Sequence, residues 1–581
     1  MSTSMPIDPL FTPKLQVYFV LLYNIHTTLN HSYMIYAKKL LMENIVRGVL
    51  RYCLFLCAIY GVFPFLDKGN SADHVFADDF IPGEGWEIET EKEDLANIIL
   101  DIAMESYPGI DKTRYLEQLE EITETIKASV GNDKTPEHMI STINTILFHA
   151  LRFQYVQTGN LEHVLLNKVL DNKSGNCVGL SLLYLCIAQK LQLPIYGVSV
   201  PEHMFVRYSE GNHTRNIETG YNGLAMPDRY YMNIPGKSIS QKSIKNGYYL
   251  KNLTIDEVLS SIYLNRSLIQ KEYGNIKDAL IDVNKAVELR DNDAVAFCNR
   301  GVLHEKLGNN EQAIADYNRA IDLNPDYAPA YYNRGSYYAN MEKIDNAIMD
   351  YNRAILLDPN SKLAHYNRGM AFYFVGKVEL AIQDLSTVIA FDPEYAPAYA
   401  TRGLAYAESN EPEKALKDFN KALELDPGNV DVYMKRSILH ADAMRYDEAI
   451  RDITAFIQSA PENVFAYYIR AKAYRGSARY RESLEDFNKM IELKPGLAGA
   501  YYERALVKKL LGMPSDALAD LNVSIELFPY NPLAYLHRAN TYRELELKEK
   551  ALKDYLIYLK LNPDAPDADE VKKDIESIQS H

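Results

Sequence analysis

Cys177, His203 and Glu218 bring a thiol, an imidazole and a carboxylate into one short stretch of a 581-residue chain. The thiol follows a polar, glycine-containing turn, Lys173-Ser174-Gly175-Asn176, and opens an apolar run that reaches Leu191. That pattern predicts a helix with Cys177 at its N-terminus. Unpaired N–H groups and the helix dipole favour the thiolate there, which is the nucleophilic form. Downstream, residues 194–200 and 203–208 read as strands, a turn follows at 209–212, and residues 214–219 read as a third strand. Pairing of these strands can carry His203 to the thiol as acid–base, with Glu218 fixing the ring's tautomer. Such a set attacks an amide carbonyl: sulfur forms a thioester and His203 protonates the departing amine. The Cys177 N–H is the natural first oxyanion donor, and Asn176 or Asn167 can supply a second. Water as acceptor makes a peptidase or amidase, and a lysine amine makes a crosslink. These residues leave both open.

Three strings carry a family likeness: Gly175-Asn176-Cys177, Pro201-Glu202-His203-Met204-Phe205-Val206-Arg207 and Asn216-Ile217-Glu218-Thr219-Gly220. From Asn144 to Gly223 the chain resembles the transglutaminase-like branch of the papain-like thiol superfamily, whose order is Cys, His, then an acidic residue. The resemblance implies a small α+β fold and cysteine-dependent acyl transfer, with Cys177, His203 and Glu218 as the catalytic residues. The chain departs from the pattern in three ways. Glutamate stands where the family more often has aspartate, no tryptophan lies near Cys177 (the single one is Trp86), and the 26-residue step from Cys177 to His203 is short. Some relatives of this compact type have lost the cysteine, so a non-catalytic binding domain is the alternative.

The segment that must position these residues has no long period and reads as a separate domain, 96–259, after a linker at 78–95. Helix-like apolar spacing covers residues 92–106, 115–130 and 138–155, ahead of the turn that leads to Cys177.

Beyond this domain eight prolines stand 34 residues apart, at Pro325, Pro359, Pro393, Pro427, Pro461, Pro495, Pro529 and Pro563. A fixed period of this length marks a helical solenoid whose units cannot bury their own apolar faces. Counting from the prolines gives nine units over 260–565, and residues 566–581 read as a capping helix. One slot is always small, as at Gly301, Gly335 and Ala471, and so is a second slot twelve residues later, at Ala313, Ala347 and Ser483. Small residues there let two helices approach closely. Two further slots never vary: arginine, from Arg266 to Arg538, and aspartate sixteen residues later, from Asp282 to Asp554. Because each arginine has a matching carboxylate, the pair reads as a structural ladder rather than a row of anion sites.

On these slots the region resembles the tetratricopeptide repeat family. The resemblance implies a right-handed α-solenoid and makes the chain mostly α. It also implies a protein or peptide partner in the groove on the concave face of the first helices, where Tyr332, Asn333, Tyr366, Asn367, Tyr373, Phe374, Tyr468 and Tyr502 fall. Such a groove selects what reaches the thiol or, in the alternative reading, serves as a scaffold for assembly.

No glycine-rich phosphate loop, paired-cysteine zinc spacing or zinc-protease helix motif occurs, so neither cofactor nor metal is expected. A net charge of −16 argues against nucleic acid as a partner. Residues 1–77 differ in composition from the rest. Lys38, Lys39, Arg47 and Arg51 precede an apolar run from Tyr52 to Leu66, and Val75-Phe76-Ala77 suits signal cleavage. The run is short for a membrane span. It reads as a secretory signal whose true start is Met34 or Met42, as an uncleaved anchor, or as a buried helix of a soluble protein, and membrane association is expected only through it. A cleaved signal implies export to a bacterial periplasm or cell envelope; otherwise the protein is cytoplasmic. Without the leader Cys177, Cys186 and Cys298 remain, an odd set that builds no disulfide framework.

Overall fold

The computed structural model describes residues 94–157, 160–232, 239 and 241–579; the leader, Trp86 and nearly all of the linker lie outside the described residues. No described helix is long and apolar enough to cross a membrane. The chain divides into two compact units, the described part of one ending at Asp418 and the other running on from Phe419.

The N-terminal domain opens with α1 (Leu95–Ser106), α2 (Lys112–Val130) and α3 (Pro136–Asn144). Asp94 caps α1 by accepting the Ala96 N–H at 3.1 Å, and Pro136 opens α3 in the one turn where a missing N–H costs nothing. α3 runs on into a π-turn at Thr145–Ala150 and ends there. The apolar spacing suggests helix as far as residue 155, but Arg152 adopts a left-handed φ of 61° and reverses the chain. Gln154–Tyr155 is strand β1 instead, and after α4 (Leu166–Asn172) it pairs in parallel with β2 (Ser174–Gly175).

Next comes α5 (Cys177–Lys190), in which every residue from Val178 to Ala188 is buried. A helix apolar all round belongs in the middle of a domain. α5 packs against α2, α4 and two strands of a three-stranded antiparallel sheet. That sheet is the meander β3 (Ile195–Val200), β4 (His203–Glu210) and β5 (His213–Ile217), close to where alternation puts three strands. On β4, Met204, Val206 and Tyr208 join the main core with α5. Phe205, one residue out of phase, faces a smaller cluster with Tyr231 from α6 (Asp228–Met232), as the period of two requires. A five-residue helix, α7 (Gln241–Lys245), follows.

Among the described residues nine helix pairs follow. They run from α8 (Ile255–Glu272) with α9 (Ile276–Leu289) to Pro532–Glu544 with Lys548–Leu561, and Ala568–Gln579 comes last. The first helix starts upstream of the counted unit boundary because Thr254 and Glu257 form a reciprocal capping box there. The glycines in the first small slot have a side chain of the second helix directly opposite: a Cβ on Gly335 would meet the Tyr351 ring at 2.9 Å, one on Gly301 the Tyr317 ring at 2.8 Å, and one on Gly369 the Leu385 side chain at 3.1 Å.

The arginine ladder does more than join the two helices of a unit. Arg334 grips Asp350 through Nε and Nη2, each at 2.8 Å, and its Nη1 reaches back to Asn318 of the preceding unit at 2.7 Å. Arg368, Arg436, Arg504 and Arg538 repeat the pattern with Asn352, Asn420, Asn488 and Asn522. Each guanidinium therefore bolts one unit to the last, and planar bidentate geometry suits arginine to this.

In the first unit α1 stands where a preceding repeat would. Arg266 holds Asp282 at 2.8 Å through Nε, and its other nitrogens donate to the Ile102 carbonyl at 3.0 Å and to Glu105 at 2.6 Å. The Leu253 N–H donates to the Gly197 carbonyl of β3 at 2.8 Å. One continuous buried core runs from Leu95 through α5 to Tyr337. The N-terminal domain thus caps the array and shares its apolar core.

Candidate active site

α5 begins at Cys177 because Asn176 caps it. The Asn176 Oδ1 accepts the N–H of Val178 at 3.0 Å and of Gly179 at 2.9 Å, and the Asn176 N–H donates to the His163 carbonyl at 2.8 Å. Gly179 has no room for a side chain: a Cβ would stand 2.2 Å from that same carbonyl oxygen and 2.9 Å from Val169. This clamp sets the partly exposed Cys177 as the first residue of the helix. Its N–H is one of those a helix leaves unpaired, placed to receive a developing oxyanion. The side-chain oxygen of Asn176 is spent on the cap. Asn167, 2% exposed on α4, keeps a buried Oδ1 without a hydrogen-bond partner.

β4 delivers His203 at its first residue. Its Nε2 lies 2.7 Å from Glu218 Oε2, and the Cys177 side chain is near enough to act on the same ring. With Nε2 engaged by Glu218, Nδ1 is the nitrogen left to serve the sulfur. Burial works against the charged ring, but the hydrogen bonds and negative charge of Cys177 and Glu218 outweigh it, and the pKa is raised to about 9. At neutral pH the ring holds a proton that a departing amine can take.

Glu218 is 1% exposed at the end of β5. The Gly220 N–H donates to its Oε1 at 2.9 Å, and the Tyr231 hydroxyl to its Oε2 at 2.9 Å. With His203 that makes three partners, enough to hold a buried carboxylate in one orientation. Tyr155, Tyr221 and Tyr230 stand around the set, each at least a third exposed. Burial, then the charge of Cys177 and Glu218, raises the Tyr155 pKa, and its ring lies against Gly220, two residues past the carboxylate. The two other described cysteines lie elsewhere. Cys186 and Cys298 are each 1% exposed, and burial pushes the Cys298 thiol up to about 12.

The sequence model described as the transglutaminase-like superfamily matches residues 113–234, and models described as tetratricopeptide repeat match 294–327, 328–361, 396–429 and 434–498. The chain carries a transglutaminase-like domain followed by tetratricopeptide repeats. It is 25% identical over 140 residues to F-box only protein 21 of Pongo abelii, which covers 24% of this chain and 21% of that protein. A UPF0162 protein of Xylella fastidiosa is 25% identical over 122 residues, covering 21% of this chain and 43% of that protein. The chain thus spans less than half the length of either relative. Among solved structures it is similar to pilF of Pseudomonas aeruginosa, with 20% identity, TM-score 0.32, and 35% of this chain and 92% of that one covered. It is also similar to YrrB, described as a TPR protein with an unusual peptide-binding site, with 22% identity, TM-score 0.27, and 35% and 96% covered.

In the tetratricopeptide repeats, several of the residues assigned to the concave groove bond from one unit to the next. Asn367 Nδ2 donates to the Tyr332 hydroxyl at 3.2 Å, Asn333 Nδ2 to Cys298 Sγ at 3.2 Å, and the Tyr366 hydroxyl lies 3.4 Å from Thr401 Oγ1. Tyr502 packs on His537 with ring centroids 5.7 Å apart, and Tyr468 on Phe465 at 6.1 Å. Tyr373 and Phe374 are neighbours at 6.2 Å, and Phe374 is 45% exposed. The structure therefore gathers Cys177, His203 and Glu218 in one place, whereas the eight groove residues are spread over several units and partly spent on joining them.

Three features of the transglutaminase-like domain escape sequence reading. Tyr231 sits in a segment without periodicity, Tyr155 falls in a strand whose spacing imitates helix, and the Gly179–His163 clamp joins residues from different elements. The polar turn before Cys177 was a signal for the cap alone.

Proposed function

We propose that the transglutaminase-like domain is a thiol acyl-transfer enzyme whose protein substrate is recruited by the tetratricopeptide repeats. The observation that carries this reading is the 2.7 Å contact of His203 Nε2 with the buried Glu218, with Cys177 at the start of α5 acting on the same ring. In the first half-reaction the sulfur bonds to an amide carbonyl carbon, and the Cys177 N–H faces the resulting oxyanion. The C–N bond then breaks, the amine leaves with the proton from His203, and a thioester remains. Water or an amine next loses a proton to His203 and displaces the sulfur, giving hydrolysis or transamidation. Glu218 keeps the ring's tautomer and orientation throughout.

Alkylation of the full chain with iodoacetamide, read peptide by peptide in a mass spectrometer, tests the proposal. Cys177 is expected to react far faster than Cys186 and Cys298, and His203→Ala is expected to abolish the difference. Slow, equal labelling of all three thiols in the wild type would return the domain to a binding role.

A further inference from the structure

We propose that Tyr231 is a positioning residue of the thiol site, acting through its hydroxyl on Glu218. This rests on the reading of Cys177, His203 and Glu218 as an acyl-transfer site. A glutamate has one more rotatable bond than an aspartate, so its carboxylate needs more holding if it is to meet the imidazole in one geometry. Here Oε2 has two partners, His203 Nε2 at 2.7 Å and the Tyr231 hydroxyl at 2.9 Å, while Oε1 is occupied by the Gly220 N–H.

The tyrosine is itself rigid. It is fully buried, and its ring stacks on Phe205 with centroids 4.0 Å apart and planes 7° from parallel. The His203 ring lies on the same stack, 6.2 Å from Tyr231 and 21° from its plane. One side chain therefore touches both later members of the set.

The short helix α6 that carries Tyr231 is tied down in turn. Asp228 accepts Arg207 Nη2 and Asn216 Nδ2, each at 2.7 Å. The same arginine, 8% exposed, donates to Asn216 Oδ1 at 2.6 Å and to the Leu250 carbonyl at 2.8 Å. A buried cluster on β4 and β5 thus fixes α6, α6 fixes Tyr231, and Tyr231 fixes the carboxylate behind the imidazole. The other charged or titratable groups facing this path are Cys177 from α5, Tyr155 from β1, and Tyr221 and Tyr230 beside Tyr231.

Tyr231→Phe in the full chain removes only the hydroxyl and keeps the stacked ring. The expected result is alkylation of Cys177 slowed about tenfold at neutral pH, together with a His203 ring titration, followed by NMR, whose midpoint falls below the wild-type value. Asp228→Asn, which loosens α6 and leaves the phenol in place, is expected to give a smaller change in the same direction. Wild-type alkylation in Tyr231→Phe, or a His203 midpoint that stays or rises, overturns the positioning role while leaving the thiol site standing. A lowered melting temperature with an unchanged His203 titration assigns Tyr231 to packing alone and overturns it equally. Wild-type Cys177 that alkylates no faster than Cys186 and Cys298 overturns the underlying site reading instead.

Discussion

Arg266 donates to Glu105 at 2.6 Å across 161 residues of sequence, joining the first repeat helix to the first helix of the transglutaminase-like domain. The same guanidinium is 5% exposed and also holds Asp282, so its loss leaves buried carboxylate oxygens without their cation. Arg266→Met is expected to cost about 3–5 kcal/mol. Hydrogen exchange should show α1 and α8 losing protection together. Exposure of α8 alone would mean that the domain does not depend on its seat in the array.

His203 and His537 are displaced in opposite directions. The hydrogen bonds and charge of Cys177 and Glu218 overcome burial and raise His203 to about 9, whereas burial, with Lys509 and Arg475 adding to it, lowers His537 to about 4. An unfolded histidine titrates at about 6.5. The stability that His203 contributes is therefore fully present below that value and is lost as pH rises through about 9. For His537 the contribution is present above the unfolded value and is lost as pH falls through about 4. NMR titration of the ring signals is expected to show one histidine at each extreme. Glu218→Gln should bring the high one down and leave the low one unmoved.

Gly179→Ala tests the clamp that sets the start of α5. Its Cβ would stand 2.2 Å from a backbone oxygen, so the backbone has to give way. We expect a loss of about 1–3 kcal/mol on thermal denaturation. Slower alkylation of Cys177 should accompany it, because the cap and the thiol share that turn.

The repeat ladder predicts an asymmetry between single and double variants. Asp350 is 6% exposed and bound twice by Arg334. Asp350→Leu alone strands a half-buried guanidinium and is expected to cost about 3–5 kcal/mol. Arg334→Met combined with Asp350→Leu should cost clearly less. Local hydrogen exchange in helices 328–340 and 344–357 measures both, since repeat arrays need not unfold in one step. Equal losses in the single and double variants would deny the pair its bolt role.

The array was legible in the sequence because a period repeated nine times reinforces itself: small slots, a helix-ending proline and an invariant Arg–Asp pair each recur at the same spacing. The order of Cys177, His203 and Glu218 was legible too, since helix and strand boundaries fall where apolar patterning changes. The reach of each arginine back to the preceding unit was not. Asn318 and its counterparts lie in a slot that also holds Ser386 and Thr454, so only contact geometry shows that they do the same work. The helix expected to reach residue 155 stopped early because local propensity carries no information about the parallel pairing of Gln154 with Ser174.

By itself, then, the sequence determined the repeat architecture, the order of Cys177, His203 and Glu218 and the helix that begins at Cys177, all of which depend on residues near one another or on spacing that recurs. Only the tertiary structure decided that α1 seats the domain on Arg266, that Gly179 is pinned against His163, and that Tyr231 stands behind Glu218. The physical reason is the same in each case. A buried polar group must find a partner, but the partner that satisfies it can lie anywhere in the chain, and folding alone brings the two together.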